Sequence, residues 1–441
     1  MKKQIKVIPR TLPGFMELKP NEQILFDQIK EKIEESYKRF GFLPLDTPIL
    51  ELSEVLLAKA GGETEKQIYR FTRGDDLAMR FDLTVPLAKY VSKNYGELQF
   101  PFRRYQIGKV YRGERPQKGR FREFYQADID IIGDGELSIM NDAEIPSIIY
   151  TTFKSLGFDD FTIRINNRKI LNGLFEYLNI VELSTEIMRI IDKLEKIGKE
   201  NVKLELLKLN IEEEIVDKIL KFISISGNNE EKIEALEKLN IKNEVFEKGL
   251  FELKEVVKYI RLFGVPEENF SIDLTIARGL DYYTGTVYET FLDNYREIGS
   301  VCSGGRYDNL AENYTDKSLP GVGIAIGVTR LFDQLNDLKL IKTEKESISD
   351  VLVISTSDDV SECLPIANTF RKEGINTEVY MNDKKMKAKF KYADKLKIPY
   401  VAIIGEDEVK EKKVSLKNLV TGKQDTINIE EAVKILKEYK K

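Results

Sequence analysis

The chain has 441 residues, of which 42% are hydrophobic and 32% charged, as in ordinary globular proteins with several domains. No apolar run approaches the roughly 20 residues needed to span a bilayer. The formal net charge is −5 and there is no histidine, so the chain lacks a general basic field, the commonest general base and the commonest metal ligand. A nucleic-acid partner would need local basic patches, and any chemistry must rest on arginine, lysine, carboxylates, tyrosine and the backbone.

The N-terminus and the cysteines predict a cytoplasmic protein. The first residues are basic, but Pro9 and Pro13 interrupt them before a signal-type apolar region forms. Two cysteines in a chain of this length argue for a reducing compartment rather than a disulfide framework. We expect Cys302 and Cys363 to be small buried residues, and we expect no zinc site or other protein-ligated metal.

Periodicity predicts a mixed sheet domain that contains a helical insertion. An amphipathic helix is expected at residues 21–40, followed by a strand-rich region at 41–140. The apolar side of this helix comprises Ile24, Ile29, Ile33 and Tyr37. No proline occurs between Pro146 and Pro266, and most of that interval has helical periodicity before strand patterns resume at Ser271.

A different pattern follows the polar stretch at 339–349. Strands alternate with helices predicted at 361–373 and 384–397, which is typical of a small parallel α/β domain.

The most informative segment runs from Val110 to Ile131. It predicts two strands joined by a basic, glycine-containing loop. Alternation places Phe124, Gln126, Asp128 and Asp130 on one face of the second strand. Polar residues beside an arginine-rich hairpin suit a site for a charged ligand, although a solvated sheet face would give the same pattern.

Three further segments carry candidate site residues, each with a structural alternative. In MRFDLTVPLAKY, Asp82 and Thr84 lie on one side of a predicted extended segment, where they could hold an ammonium group or merely face solvent. In IARGLDYYTGTVYE and CSGGRYD, glycines could let the backbone approach a ligand or simply form turns. In PGVGIAIGVTRLFDQL, the glycine spacing and the absence of βαβ units argue against a dinucleotide-binding site.

Together these segments resemble the histidyl-tRNA synthetases, a family of class II aminoacyl-tRNA synthetases. TPILE resembles the end of class II motif 1, YRGERPQKGRFREFYQ motif 2, and PGVGIAIGVTRL motif 3. ARGLDYYTGTVYE resembles a signature of the histidine enzymes, and GGETEKQIYRF and CSGGRYDNL also match. The matches follow the family order and cover nearly the whole chain.

The resemblance implies an α+β catalytic domain with an antiparallel six-stranded sheet and a helical insertion, plus a small C-terminal α/β anticodon-binding domain. It also implies a homodimer formed through motif 1. The domain boundaries that we predict are 1–169 with 263–338 for the catalytic domain, 170–262 for the insertion, 339–349 for the linker and 350–441 for the anticodon-binding domain.

The resemblance also implies roles for individual residues. Those expected to act in catalysis are Arg112 and Arg278. Those expected to bind ATP are Arg112, Glu114, Phe124 and Arg330. Those expected to bind histidine are Asp82, Thr84, Gln126, Asp130, Tyr282 and Tyr283. Those expected to approach the tRNA acceptor end are Gln117 and Arg122. Many bacterial members have glutamate where this chain has Asp82 and Asp130.

The expected reaction is ATP-dependent attachment of L-histidine to tRNA(His), with Mg²⁺ arriving on ATP. A carboxylate is already a nucleophile at neutral pH, so the absence of histidine side chains is no obstacle. One alternative is an inactive paralogue that serves as a regulatory subunit of ATP phosphoribosyltransferase. Another is an RNA-binding sensor that keeps only the fold.

Overall fold

The computed structural model of the chain describes residues 7–58, 65–71, 76–276, 283–341 and 346–440. The chain divides into two compact units, one comprising Met1–Met16 and Ile29–Leu338, the other Glu17–Gln28 and Lys339–Lys441. Among the described residues, no helix is both long enough and apolar enough to cross a membrane.

Strands of the first unit form a large sheet and a small one. In chain order they are β1 (Leu43–Pro44), β2 (Leu50–Leu52), β3 (Leu77–Met79), β4 (Phe102–Tyr111), β5 (Glu123–Ile132), β6 (Phe161–Asn167), β7 (Phe270–Ile272), β8 (Thr286–Leu292), β9 (Cys302–Tyr307) and β10 (Gly321–Gly327). Strands β2 and β3 pair separately, and the other eight strands of this described region form the large sheet.

The large sheet contains the predicted antiparallel core. Strands β4, β5, β10, β9, β8 and β6 are adjacent in that order, and each neighbouring pair is antiparallel. Strands β1 and β7 add a short parallel strand at each edge. The antiparallel six-stranded sheet that the resemblance implies is therefore present, and two parallel strands of two and three residues extend it to eight.

Helices occupy much of residues 20–337, and the predicted helical segment at 170–262 is largely helical. They are α1 (Pro20–Arg39), α2 (Ser53–Leu57), α3 (Thr84–Lys93), α4 (Met140–Leu156), α5 (Arg168–Tyr177), α6 (Ser184–Ile191), α7 (Leu194–Leu207), α8 (Glu213–Ile223), α9 (Asn229–Lys238), α10 (Glu244–Leu262) and α11 (Val328–Asp337). Helix α1 confirms the predicted amphipathic helix, since Ile33 and Tyr37 are fully buried and the Tyr37 hydroxyl donates to Ala127 O at 3.0 Å.

The two faces of β5 are both buried but chemically different. Ala127, Ile129 and Ile131 lie on one face and have no exposed surface. Asp128 and Asp130 lie on the other face and are each 2% exposed. The polar face is therefore enclosed, and the alternative of a solvated sheet face was wrong.

The second unit contains a five-stranded sheet. Its strands are β11 (Val351–Ser355), β12 (Thr377–Val379), β13 (Tyr400–Ile404), β14 (Lys413–Asn418) and β15 (Gln424–Asn428). Its helices are α12 (Cys363–Lys372), α13 (Met386–Lys395), α14 (Glu406–Glu411) and α15 (Ile429–Lys440). Strands β12, β11 and β13 are parallel, as predicted, but β14 and β15 are antiparallel, so the sheet is mixed. Strand β15 is largely exposed and lacks the apolar alternation from which a strand could have been predicted.

Candidate active site

Small residues on β9 and β10 leave space above the middle of the large sheet. A Cβ atom at Gly323 would lie 2.3 Å from Asp130 Oδ1, so this glycine makes room for the carboxylate. Gly304 instead faces the neighbouring strand, where an added Cβ would lie 2.1 Å from Gly323 O. Gly304 therefore serves the close packing of β9 against β10.

An arginine-lined cavity of about 440 Å³ opens on this face of the sheet. We call it the arginine cavity; the side chains that matter for its chemistry are Arg112, Glu114, Arg120, Phe124, Gln126 and Arg330. It therefore contains all four residues that the sequence assigned to ATP, together with Gln126. A cavity of this size, with several arginines and one aromatic ring, suits a phosphate-bearing aromatic ligand.

Arg112 and Arg330 both line this cavity. Arg112 Nε donates to Phe81 O at 3.0 Å, and its guanidinium carbon lies 5.1 Å from the Phe124 ring centroid. Arg330 donates from Nη2 to Ile298 O, while its buried Nε has no hydrogen-bond partner within the described part of the chain. Burial, followed by the charge of Arg120, lowers the pKa of Arg330 from its usual value. Both arginines are anchored at one nitrogen and can donate others to an anion.

The loop between β4 and β5 lines part of the cavity and is held by hydrogen bonds within the loop and to Gly14. Arg122 Nε donates to Glu114 O at 2.9 Å, and Arg122 N donates to Gly14 O at 2.7 Å. Gln117 is exposed, and its backbone forms an isolated antiparallel β-bridge with that of Arg120 in this loop. Arg122 is thus partly used in holding the loop, whereas Gln117 is open to a large partner.

Asp82 and Thr84 do not lie on an extended segment as predicted. Thr84 is the first residue of α3, and Asp82 Oδ1 accepts a hydrogen bond from Val85 N at 3.1 Å. The carboxylate satisfies a backbone donor of the first helical turn, which turns the chain at this point. Burial raises the pKa of Asp82 to about 6, opposed by the Val85 hydrogen bond and the positive charge of Arg112.

Asp130 is held by two buried partners. The Tyr307 hydroxyl donates to Asp130 Oδ1 at 2.7 Å, and Arg104 Nη2 lies 2.6 Å from Asp130 Oδ2. Arg104 stands directly opposite Asp130 on the neighbouring strand β4 and has no exposed surface. Burial raises the pKa of Asp130, while Arg104 and Tyr307 oppose the shift.

Gln126 and Asp128 lie next to Asp130 on the same face of β5. Gln126 Oε1 and Asp128 Oδ1 are buried without a hydrogen-bond partner among the described residues. Burial is also the main cause that raises the pKa of Asp128 well above its ordinary value. We call Asp82, Asp128 and Asp130 the carboxylate cluster. The negative charge of Asp130 raises the pKa values of Asp82 and Asp128, and the positive charge of nearby Arg112 lowers them.

Tyr283 lies beside this cluster. The Tyr283 side chain packs with the apolar group that includes Phe81 and Tyr307. Arg168 Nη1 donates to Tyr283 O at 3.0 Å, which fixes the backbone there. Arg278 and Tyr282 lie outside the described residues.

Sequence reasoning missed Arg104 and Tyr307. Alternation along β4 would have placed Arg104 and Gln106 on one face, but the register that sets Arg104 opposite Asp130 is a tertiary fact. Tyr307 occurs within CSGGRYD, where we had noted only the glycines. Asp128 had been placed on the site face but given no role.

The two parts of the site favour different charges. The arginine cavity favours an anion, and the neighbouring carboxylate cluster favours a cationic or N–H-donating group. Gln126 belongs to the wall of the cavity and is two residues from Asp128, so the parts adjoin. A site of this kind can hold a nucleotide against a small ligand that carries positive charge.

Comparisons with known proteins agree on one family. A family model described as histidyl-tRNA synthetase matches residues 14–331, and one described as anticodon binding domain matches residues 350–439. A protein of Clostridium tetani named histidine–tRNA ligase is 61% identical over 99% of this chain and 100% of its own length. A protein of Finegoldia magna with the same name is 52% identical over 97% of this chain and 99% of its own length.

A solved structure extends this agreement to the fold. The crystal structure of histidyl-tRNA synthetase from Nostoc sp. PCC 7120 superposes with a TM-score of 0.89 and is 39% identical, covering 98% of this chain and 100% of that chain. The sequence match, its full coverage and the shared fold lead to one conclusion: the chain belongs to the histidyl-tRNA synthetase family.

Proposed function

We propose that this protein attaches L-histidine to tRNA(His) in two ATP-dependent steps. In the first, the histidine carboxylate attacks the α-phosphorus of ATP, which forms histidyl-adenylate and releases diphosphate. In the second, a terminal ribose hydroxyl of the tRNA attacks the acyl carbon, and AMP leaves. The observation that carries this proposal is the adjacency of the arginine cavity and the carboxylate cluster on one sheet face, in a chain 61% identical over its full length to a histidine–tRNA ligase.

The chemistry requires alignment and charge neutralisation more than proton transfer. The attacking carboxylate is already ionised at neutral pH, so no general base has to activate it. Arg112 and Arg330 would neutralise charge on the phosphates, and Phe124 and Glu114 would hold the adenine. Arg278 would act on the α-phosphate as well. ATP would arrive with its own Mg²⁺ as part of the substrate.

The carboxylate cluster would hold the amino acid. Asp82 and Thr84 would take the α-ammonium, and Gln126 would lie near the carboxylate that reacts. Asp130, Tyr282 and Tyr283 would line the part that receives the imidazole. The buried position of Asp130 beside Tyr307 and Arg104 supports a fixed wall there, because moving Arg104 would break a buried ion pair and moving Tyr307 would break a buried hydrogen bond.

The tRNA would contact two regions. Gln117 and Arg122 would lie at the acceptor end, and the domain from residue 350 would bind the anticodon. Exposed lysines of the second unit support this second contact: Lys384, Lys387, Lys391 and Lys395 are all exposed, while Ala393 is buried, with Met386 and Phe390 packed against the same apolar core. These lysines supply a local basic patch on a chain whose net charge is −5.

We further assign the remaining parts of the chain. Residues 1–169 and 263–338 would form the catalytic domain, 170–262 its helical insertion, and 339–349 a linker. The proposed substrates ATP and tRNA support a location in the cytoplasm.

A homodimer is supported by exposed apolar residues around motif 1. Leu43, Ile49, Leu50 and Leu52 are 58%, 41%, 43% and 47% exposed. Neighbouring apolar side chains left open in this way mark a surface that another protein copy would cover. Light scattering of the purified protein would give twice the chain mass; the chain mass alone would contradict the dimer.

The decisive assay is ATP–diphosphate exchange dependent on free histidine, followed by charging of a tRNA(His) transcript. We expect both activities with histidine and no exchange with other amino acids. An inactive regulatory paralogue would show neither activity, and an RNA-binding sensor would bind tRNA without exchange. Either result would overturn the proposed function.

A further inference from the structure

The role of Asp128 is not accounted for by the assignments above, although it lies in the middle of the site. It is 2% exposed and lies on the same face of β5 as Gln126 and Asp130. The residue beside it on β10 is Ala325, which lines the arginine cavity. Because Ala325 has a small side chain, it places little bulk next to Asp128 on this face of the sheet.

The neighbours of Asp128 leave its acceptor free. Its partner across β4 is Gln106, whose Nε2 donates to Asp46 Oδ1 at 2.8 Å and so turns away from β5. Arg104 is committed at Nη2 to Leu83 O and to Asp130. Among the described residues, Asp128 Oδ1 has no hydrogen-bond partner. A buried carboxylate oxygen without a donor is costly to keep, which points to a ligand that supplies the donor.

Unmet donors lie on the same buried surface. Arg104 Nε and Nη1 have no partners among the described residues, and Arg104 has no exposed surface. The site thus presents an unused acceptor and unused donors side by side. A neutral imidazole has one N–H donor and one bare nitrogen acceptor, so it matches this combination better than an ammonium group, which only donates.

Distance along β5 favours the ring over the ammonium group. Asp128 lies two residues beyond Gln126, or about 6.6 Å at the usual strand rise. Gln126 lines the cavity where the nucleotide would bind, whereas Asp128 lies beyond it. The α-ammonium is attached next to the carboxylate that reacts with ATP and must remain near the cavity. The imidazole extends farther from the nucleotide and can reach Asp128.

We propose that Asp128 is a specificity-determining residue whose Oδ1 accepts the ring N–H of the histidine substrate. This inference rests on the proposed function and deepens it. Asp130, already held by Tyr307 and Arg104, would then form the fixed wall, and Asp128 would provide the free acceptor at the ring.

The test compares histidine with β-(thiazol-4-yl)alanine, which keeps the ammonium, the carboxylate and a ring nitrogen but lacks the ring N–H. Asp128→Asn and Asp128→Leu are measured in histidine-dependent ATP–diphosphate exchange, with the thiazole compound as a competitive inhibitor. We expect the KM for histidine to rise about ten- to hundredfold, most in Asp128→Leu, as for a buried N–H donor left without its acceptor. The inhibition constant of the thiazole compound should change less than threefold, and the KM for ATP less than twofold.

Two outcomes would overturn the proposal. An unchanged KM for histidine in both variants would mean that Asp128 does not contact the substrate. Equal losses for histidine and the thiazole compound would mean that Asp128 acts on the ammonium or on the fold. Asp142→Asn is the matched control for neutralising a buried carboxylate, because Asp142 pairs with Arg306 and has no exposed surface. It should lower the melting temperature without raising the KM for histidine. An inactive parent protein would instead refute the proposed function itself.

Discussion

Strands β5 and β11 are both buried on both faces, but the two strands differ in the chemistry of the faces that they bury. In β11, Val351 and Val353 belong to one apolar cluster and Leu352 and Ile354 to another. In β5, one face is apolar and the other carries Gln126, Asp128 and Asp130. Burial alone therefore does not distinguish a structural strand from a strand that builds a site; the chemistry of the buried face does.

The difference also has an energetic side. Apolar faces such as those of β11 stabilise the fold roughly in proportion to the area that they remove from water. The polar face of β5 does the opposite, because it encloses carboxylates whose pKa values burial raises and polar atoms that find no hydrogen-bond partner in the described ranges. We infer that this face is retained for a ligand, and the following predictions test the contrast in order of expected effect.

Ile354→Ala should have the largest effect, and it should act on stability. Ile354 has no exposed surface and packs with Ala393 and Val401. Its truncation should lower the free energy of unfolding by about 2–5 kcal/mol, through lost apolar burial and the cavity left behind. Denaturant unfolding followed by circular dichroism would measure this loss, while exchange activity should persist. Val420→Ala, at a position 77% exposed, serves as the control and should change stability by less than about 0.5 kcal/mol.

Arg112→Ala should affect catalysis rather than folding. A positioned cation at the reacting phosphate should contribute about 10²–10³ in rate, equivalent to roughly 2.7–4 kcal/mol. Histidine-dependent exchange, with its kcat and KM values separated, would measure the loss. Arg103→Ala is the control, because Arg103 lies on β4, the strand that leads to Arg112, but pairs with Glu144 instead of lining the cavity. A decrease of less than threefold in Arg112→Ala would remove Arg112 from the catalytic residues.

Asp82→Asn should stabilise the ligand-free protein in a pH-dependent way. Burial raises the pKa of Asp82 from 3.8 to about 6, so the folded state holds a proton that the unfolded state releases between these values. Stability therefore falls as the pH rises through this window, and the full penalty is present above about pH 6. Asparagine removes the charge and keeps an acceptor for Val85 N. We expect a gain of at most about 3 kcal/mol at pH 8, shrinking as the pH falls below 6.

Unfolding free energies of parent and Asp82→Asn between pH 5 and pH 8 would check this sign. Asp383→Asn, at an exposed position, controls for the substitution itself. A gain that stays constant across this range would mean that desolvation of Asp82 is not its cause. Loss of histidine binding in the same variant should accompany the gain, because the charge that destabilises the empty site is the one proposed to hold the ammonium group.

Lys387→Gln combined with Lys391→Gln should have the smallest effect, confined to tRNA. Both lysines are exposed on α13, whose apolar side packs into the second unit. Loss of two phosphate contacts should lower kcat/KM for tRNA charging roughly fivefold and flatten its dependence on salt, with exchange unchanged. Lys410→Gln combined with Lys434→Gln provides the control at exposed positions elsewhere in this unit. Equal effects of both pairs would show that only general charge matters.

The sequence alone was enough to predict the family, the amphipathic α1, the β4–β5 hairpin and the residues that face one side of β5. It could do so because alternation and helical periodicity are local, and because several motifs occur in family order. It also predicted the cavity residues Arg112, Glu114, Phe124 and Arg330 as one group, which the structure brings together. Short edge strands and the antiparallel hairpin of the second unit escaped it, since they carry too few residues or too little apolar pattern.

The use of the polar face could not be predicted from the sequence, because it depends on long-range packing. Whether the carboxylates of β5 meet water or are enclosed depends on what covers the sheet, and the sequence pattern is the same in both cases. The register sets Arg104 opposite Asp130 and Ala325 beside Asp128, although each pair is far apart along the chain. The position of Asp82 depends on the start of α3, where its carboxylate accepts a hydrogen bond from Val85 N. The sequence pattern predicted an extended segment there. Hydrogen-bond partners and free acceptors follow from such long-range packing, which no local pattern contains.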